Sequence, residues 1–200
     1  MRLVLASASP RRAELLRAAG FTFETLAVGV DETARPGEQA HAYVRRLAME
    51  KSARALEVLE CAAGSPTKVG RHVQELVVIG ADTAVVIEGE ILGKPQDDAD
   101  AGRMLRRLSG TRHELMTGVS VRRAELEVGH VETTAVHCAA LSDADVSWYV
   151  ASGEGRDKAG AYAIQGLASR LFPRIEGSYS NVVGLPIACV FELLEGLRSG

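Results

Sequence analysis

The sequence predicts an α/β or α+β fold built on a mixed sheet with flanking helices. Three observations carry this. Apolar, β-branched runs alternate along the chain with helical stretches, the interleaving that packs helices onto a sheet. The stretch 114–137 alternates about a turn placed at Glu125 to Gly129 and reads as an antiparallel hairpin, so the sheet is not purely parallel. Finally, 200 residues with 46% hydrophobic and 24% charged side chains suffice for a core without disulfide or metal staples. The expected arrangement is one domain over residues 1–200, two lobes around a central cleft with no separable linker.

Taken in order, Arg2 to Ala6 is a short buried strand. Ser9 and Pro10 open a helix as N-cap and first helical residue, Leu15, Leu16 and Ala19 give it an apolar face, and Gly20 closes it. Residues 21–30 read as a second strand, and Gly37 to Leu59 as a long helix starting near Glu38. Residues 61–75 are polar and punctuated by Gly and Pro, a surface loop or the end of the helix followed by a loop. Leu76 to Ile79 is a central strand that runs into Gly80-Ala81-Asp82-Thr83, and Ala84 to Ile87 is the next strand. Glu88-Gly89-Glu90 is a turn, and Gln96 to Leu108 is a helix with three aspartates near its start, where they suit the macrodipole. After the hairpin, Ser142 or Asp143 caps a helix through Val150. Lys158 to Gln165 is irregular, Leu171 to Ile175 is a strand, and Leu185 to Leu197 is a helix that Pro186 opens.

Composition excludes several classes. A net charge of −3, from 23 basic and 26 acidic residues, gives no global field for gripping a nucleic-acid polymer. No apolar run reaches the roughly 18 residues of a membrane span, and the first residues lack the apolar core of a signal peptide. The expected compartment is therefore the cytoplasm. Cys61, Cys138 and Cys189 lack metal-clip or redox spacing and are expected to be reduced and mostly buried, and no two of the five histidines stand at i, i+4. Only four of the basic residues are lysine: Lys51, Lys68, Lys94 and Lys158. A chain that prefers arginine keeps lysine by chance, or where a compact ammonium is needed.

Several segments carry candidate chemistry. Ser7, Ser9, Arg11 and Arg12 surround a helix start. Arginines there oppose the macrodipole, which makes sense if a phosphate binds, and is otherwise an incidental feature of a solvated helix end. Asp82 interrupts two apolar runs, as a Mg²⁺ ligand, an acceptor of a proton from attacking water, or a turn residue. Asp31 and Glu32 could complete a metal shell or be ordinary loop carboxylates. Gly89 to Pro95 is not a P-loop, because the spacing is short and Pro95 replaces the required Ser or Thr. No G-x-G-x-x-G opens a helix. Ser109-Gly110-Thr111 and Thr117-Gly118 look like backbone turns. In Asp157 to Gly166, small residues would let backbone approach a flat ligand, and Gln165 offers a donor and an acceptor to a base edge.

Together these segments resemble the Maf family of nucleoside triphosphate pyrophosphatases. The residues that carry the likeness are Leu5 to Arg12, Gly80-Ala81-Asp82-Thr83, Gly93-Lys94-Pro95, Leu108-Ser109-Gly110, His113 with Thr117-Gly118, Asp157-Lys158-Ala159-Gly160, Ile164-Gln165-Gly166, and Gly177-Ser178-Tyr179 through Val183-Gly184-Leu185-Pro186. The resemblance implies a mixed-sheet fold with a deep cleft, related to the inosine triphosphate pyrophosphatases. It implies hydrolysis of a nucleoside triphosphate to monophosphate and pyrophosphate with Mg²⁺ or Mn²⁺. By resemblance, Asp82 is the catalytic proton acceptor and Glu32, with Asp82, a metal-binding position. Ser7, Ser9, Arg11 and Arg12 with Lys51, Lys94 and Lys158 serve the phosphates, and Arg11, Thr83 and Gln165 match positions linked to the subgroup acting on dTTP and UTP. Gly155 and Ala163 depart from that subgroup, which has Pro and Gly there, and 64–75 is longer than usual. A homodimer is expected from the family alone. The rival expectations are the same chemistry on 7-methyl-GTP or a damaged purine, a non-catalytic regulator of septum formation, and a nucleotide-binding module.

Overall fold

The computed structural model describes residues 1–63 and 76–199; the segment 64–75, read as a loop, lies outside the described residues. The elements are β1 (Arg2–Ala6), α1 (Pro10–Ala18), β2 (Glu24–Thr25), α2 (Ala40–Ala63), β3 (Leu76–Ile87), β4 (Glu90–Leu92), α3 (Asp98–Leu108), β5 (Arg112–Arg123), β6 (Leu126–His137), α4 (Asp143–Ser152), β7 (Arg174–Glu176), α5 (Tyr179–Val183) and α6 (Ile187–Ser199). Strands hydrogen-bond in the order β2-β1-β3-β5-β6-β7, with β4 on β3. Parallel β1/β2 and β1/β3 pairs coexist with antiparallel β3/β4 and β6/β7 pairs, the expected mixed sheet. No helix among the described residues is long and apolar enough to cross a membrane.

The chain divides into two compact units: Met1–Asp82, Thr117–Glu132 and Gly184–Gly200 form one, Thr83–Met116 and Thr133–Val183 the other. In the first unit the period-2 alternation of β1 and β3 sends side chains to two covered faces. Leu3, Leu5, Val77 and Ile79 pack with residues of α1 and α6, including Leu16 and Val190. Val4, Ala6, Leu76 and Val78 pack on the opposite face with Ala55 and Leu56 of α2. Both faces being dry, Leu3 to Ala6 and Leu76 to Ile79 read as unbroken apolar runs.

In the second unit, α3 is capped by Asp97, whose side chain accepts from the Asp100 amide. The start of α4 carries a capping box between Ser142 and Asp145, and its end a left-handed Gly153. Glu88 and Gly89, with φ of 52° and 81°, form the tight turn between β3 and β4. His113, Tyr162 and Phe172 make an aromatic cluster, with the Tyr162 and Phe172 rings stacked at 4.1 Å.

Several sequence expectations are corrected. Asp82 lies in no turn, because β3 runs unbroken from Leu76 to Ile87. Gly80 signals a close approach instead: a Cβ there would sit 2.2 Å from the Ala48 carbonyl oxygen of α2. Gly118 lies inside β5 for the same reason, 2.2 Å from the Val44 carbonyl oxygen. The hairpin turn is at Ala124 and Glu125, and Gly129 inside β6 makes room for Arg45. The second strand shrinks to Glu24–Thr25, which pair with Val4 and Leu5 of β1. Ala19 is exposed rather than on the apolar face of α1. The long helix begins at Ala40, because Glu38 bonds back to the Arg35 amide. Around Pro173, Leu171 and Phe172 are buried outside any strand, and pairing begins at Arg174. Helix α5 had no sequence counterpart. Cys138 and Cys189 are buried free thiols and Cys61 is exposed.

Candidate active site

Parallel pairing of β1 with β3 places the site. Ala6 pairs with Gly80, so the chain leaving the carboxyl end of β1 through Ser7 and Ser9 into α1 lies beside Asp82. Ligands in α/β sheets gather at such strand ends. Gly80 faces α2, so the alternation points Asp82 at α2 as well.

There Asp82 meets Lys51. Both are 8% exposed. The Lys51 ammonium donates to Asp82 Oδ1 at 2.6 Å and to Glu32 Oε1 at 2.7 Å. One compact cation thus joins the two carboxylates that the sequence singles out. Tyr43 Oη, also on α2, donates to the Glu32 carbonyl at 2.9 Å. Burial and the negative charges of Asp82 and Glu32 push the Tyr43 hydroxyl up to about 12.

Arg12 is the second anchor. Its Nε donates to the Gly184 carbonyl and its Nη1 to the Ala81 carbonyl, each at 2.8 Å, with Ser7 Oγ at 3.3 Å. It therefore grips the strand one residue before Asp82. Burial lowers its pKa, while Asp82 and Glu32 oppose the shift. Ser9 has the extended backbone of an N-cap but its side chain makes no capping bond; its amide donates to Ser7 Oγ at 3.1 Å. Among the described residues Arg11 makes no hydrogen bond or ion pair, so its fork is available to an anion.

The remaining predicted residues belong to the second unit. Thr83 follows Asp82 in β3. The Gly160 amide donates to the Gly93 carbonyl at 3.0 Å, which ties the segment bearing Lys94 to the one bearing Lys158. Lys158 pairs with its neighbour Asp157. Lys94 and Gln165 are exposed, and neither makes a hydrogen bond or ion pair among the described residues. The Gln165 segment is held by two tyrosines: Tyr149 Oη accepts from the Ala163 amide at 3.0 Å, and Tyr162 Oη bonds His113 Nε2 at 2.8 Å. Gly155 lies so close to Ala161 that a Cβ would be 2.0 Å from its carbonyl oxygen, so a proline would not fit this backbone.

The donor set suits a hard divalent cation. Mg²⁺ takes one or two carboxylates and completes its shell with waters and substrate phosphates. Asp82 and Glu32 supply that number, and among the described residues no group of three or more His, Cys, Asp or Glu forms a protein-only cage. Sequence reasoning missed Tyr43, Arg46 and Glu38, which hold the segment around Glu32. The available signal was helical spacing between the first two, since Tyr43 and Arg46 stand three residues apart on one face of the helix.

A family model described as Maf-like protein matches residues 2–197. A dTTP/UTP pyrophosphatase from Anaeromyxobacter sp. (strain Fw109-5) is 50% identical over 198 residues, covering 96% of this chain and 88% of that protein. One from Shewanella oneidensis is 48% identical, covering 97% of each. One from Escherichia coli O6:K15:H31 is 44% identical, covering 98% and 93%. The Staphylococcus aureus Ham1 structure aligns with a TM-score of 0.47 at 13% identity, covering 100% of this chain and 99% of that one.

Proposed function

The chain belongs to the Maf-like family, and from that premise we propose that it hydrolyses dTTP and UTP to the monophosphate and pyrophosphate. The observation that carries the reading is the Asp82–Lys51–Glu32 cluster beside the start of α1, in which Asp82 and Lys51 are buried and Glu32 is exposed. It sets carboxylate oxygens and cations together where a helix N-terminus favours phosphate.

In the proposed reaction, water adds to the α-phosphorus and the bond from that phosphorus to the α–β bridging oxygen breaks. Pyrophosphate leaves with that oxygen. The water proton passes to Asp82 or to solvent. Arg11, Ser9 and the amides at the α1 N-terminus hold phosphate oxygens, with Ser7 and Arg12 fixing the turn beneath them. Lys51 orients both carboxylates, and Lys94 and Lys158 add positive charge for the phosphates. A Mg²⁺ or Mn²⁺ ion held by Asp82 and Glu32 would neutralise charge developing on the phosphates. Gln165, with Thr83 and Arg11, is assigned to reading the pyrimidine. A pocket built to hydrogen-bond one base edge rejects another, because buried polar groups are left unpaired. The proposal places this chemistry in the cytoplasm, consistent with three free thiols.

The test is pyrophosphate release from dTTP, UTP, CTP, GTP, 7-methyl-GTP and ITP with Mg²⁺ or Mn²⁺. Turnover of dTTP and UTP should dominate, and Asp82→Asn should lower kcat by about 10²–10⁴-fold, the usual size of a positioned acid–base group. Turnover confined to 7-methyl-GTP or ITP would keep the chemistry and remove the role given to Gln165. No turnover by folded protein would overturn the reading.

A further inference from the structure

Every residue from Asp31 to Gly37 is exposed, so the segment that carries Glu32 has no buried apolar side chain to hold it. Ordering such backbone costs about 1–2 kcal/mol per residue, and something else must offset that. Three consecutive carbonyls of the segment are captured from one face of α2. Arg46 Nη1 donates to the Asp31 carbonyl at 3.4 Å and Arg46 Nη2 to the Thr33 carbonyl at 3.1 Å. Between them, Tyr43 Oη donates to the Glu32 carbonyl at 2.9 Å. The Arg46 side chain is only 12% exposed, and its fork is locked on Glu38, Nε to Oε1 at 2.6 Å and Nη2 to Oε2 at 2.8 Å. Its guanidinium also lies 5.6 Å from the Tyr43 ring centre. Further along the same helix, Lys51 takes the Glu32 carboxylate.

We infer that Arg46, together with Tyr43, is a positioning residue for the Glu32 carboxylate, fixing its backbone from α2 so that its side chain meets Lys51 beside Asp82. A lysine at position 46 keeps the charge but cannot reach two carbonyls and a carboxylate with one fork. Without the clamp, Glu32 samples orientations that no longer converge with Asp82, and the pair holds a divalent cation less well. This rests on the assignment of Glu32 to the metal in the reaction proposed above.

The experiment compares wild type with Arg46→Lys and Tyr43→Phe, the second removing a single hydroxyl and so sparing the fold. Two quantities are read: amide hydrogen exchange at residues 31–38, and the Mg²⁺ concentration for half-maximal dTTP hydrolysis. Exchange should quicken about tenfold or more in that segment, with the rest of α2 unchanged. The Mg²⁺ requirement should rise about tenfold in Arg46→Lys and less in Tyr43→Phe, the scale of losing support behind a metal ligand. Unchanged exchange overturns the clamp. Faster exchange with an unchanged Mg²⁺ requirement leaves a loop tether only and overturns the positioning role. If no nucleotide is turned over, the reaction assigned above fails on its own; Mn²⁺ affinity read by paramagnetic resonance then replaces the Mg²⁺ requirement, and the same two outcomes decide.

Discussion

His113 is 1% exposed, and its Nδ1 has no hydrogen-bond partner. Burial, with the nearby His137 as a smaller cause, lowers its pKa from 6.5 to about 4. Above pH 6.5 the ring is neutral in the folded and the unfolded chain, and its contribution to stability is whole. Between pH 6.5 and 4 the unfolded chain takes a proton that the folded chain refuses, so stability falls as pH falls. The loss approaches roughly 3 kcal/mol at the lower end. Thermal melts of wild type and His113→Gln from pH 7 to 4.5 check this. Wild type should lose Tm more steeply, and parallel slopes would sink the account. Residues of this kind also mark what the sequence disclosed. Asp82 and Lys51 were legible because each breaks a local rule, an acid in an apolar run and a lysine in an arginine-rich chain. Arg46 was not, because one arginine on an arginine-rich helix looks like another until Glu38 and two carbonyls are seen around it.

At the scale of elements, glycine is the residue that the sequence reading most often misplaced. A glycine in an apolar run predicts a turn by composition, yet Gly80, Gly118 and Gly129 sit inside strands. What they share is a neighbour too close for a Cβ, which only the packed structure reveals. Gly80 and Gly118 let the α2 backbone lie against β3 and β5, and α2 carries Tyr43, Arg46 and Lys51. Gly118→Ala would put a methyl 2.2 Å from the Val44 carbonyl oxygen, so the helix must move. Overpacking of this kind costs about 1–3 kcal/mol. Calorimetry should show a Tm drop of about 2–4 °C per kcal/mol for a chain of this size, with a loss of kcat because Lys51 moves with the helix. Gly196 in α6 is the counter-case: no atom lies within 4 Å of its would-be Cβ. Gly196→Ala should stabilise by about 0.5–1 kcal/mol and leave kcat alone. A neutral Gly118→Ala beside a destabilising Gly196→Ala would refute the packing explanation.

The whole molecule was legible in its class and in the order of its larger elements, because apolar periodicity and caps are local signals. Two lobes without a separable linker were expected, but the places where the chain crosses between units were not legible, because three of the four lie inside strands. The chain passes between the two units at 82/83, 116/117, 132/133 and 183/184, and the first three of these points lie inside β3, β5 and β6. None of these three is a Gly- or Pro-rich linker of the kind that lets one domain unfold while another stays intact, and only the fourth, at Gly184-Leu185-Pro186, has that composition. A strand cannot lose its pairing at one end without fraying toward the other, so disorder starting in either unit runs into the next through covalent backbone. The expectation is a single thermal transition. For 200 residues at about 0.7 kcal/mol each, the calorimetric enthalpy should be near 140 kcal/mol around 60 °C, and the van't Hoff enthalpy should equal it. Two resolved transitions, or a van't Hoff value near half the calorimetric one in a verified monomer, would show the units folding independently. The strand crossings would then be hinges rather than the joints that make the chain one cooperative body.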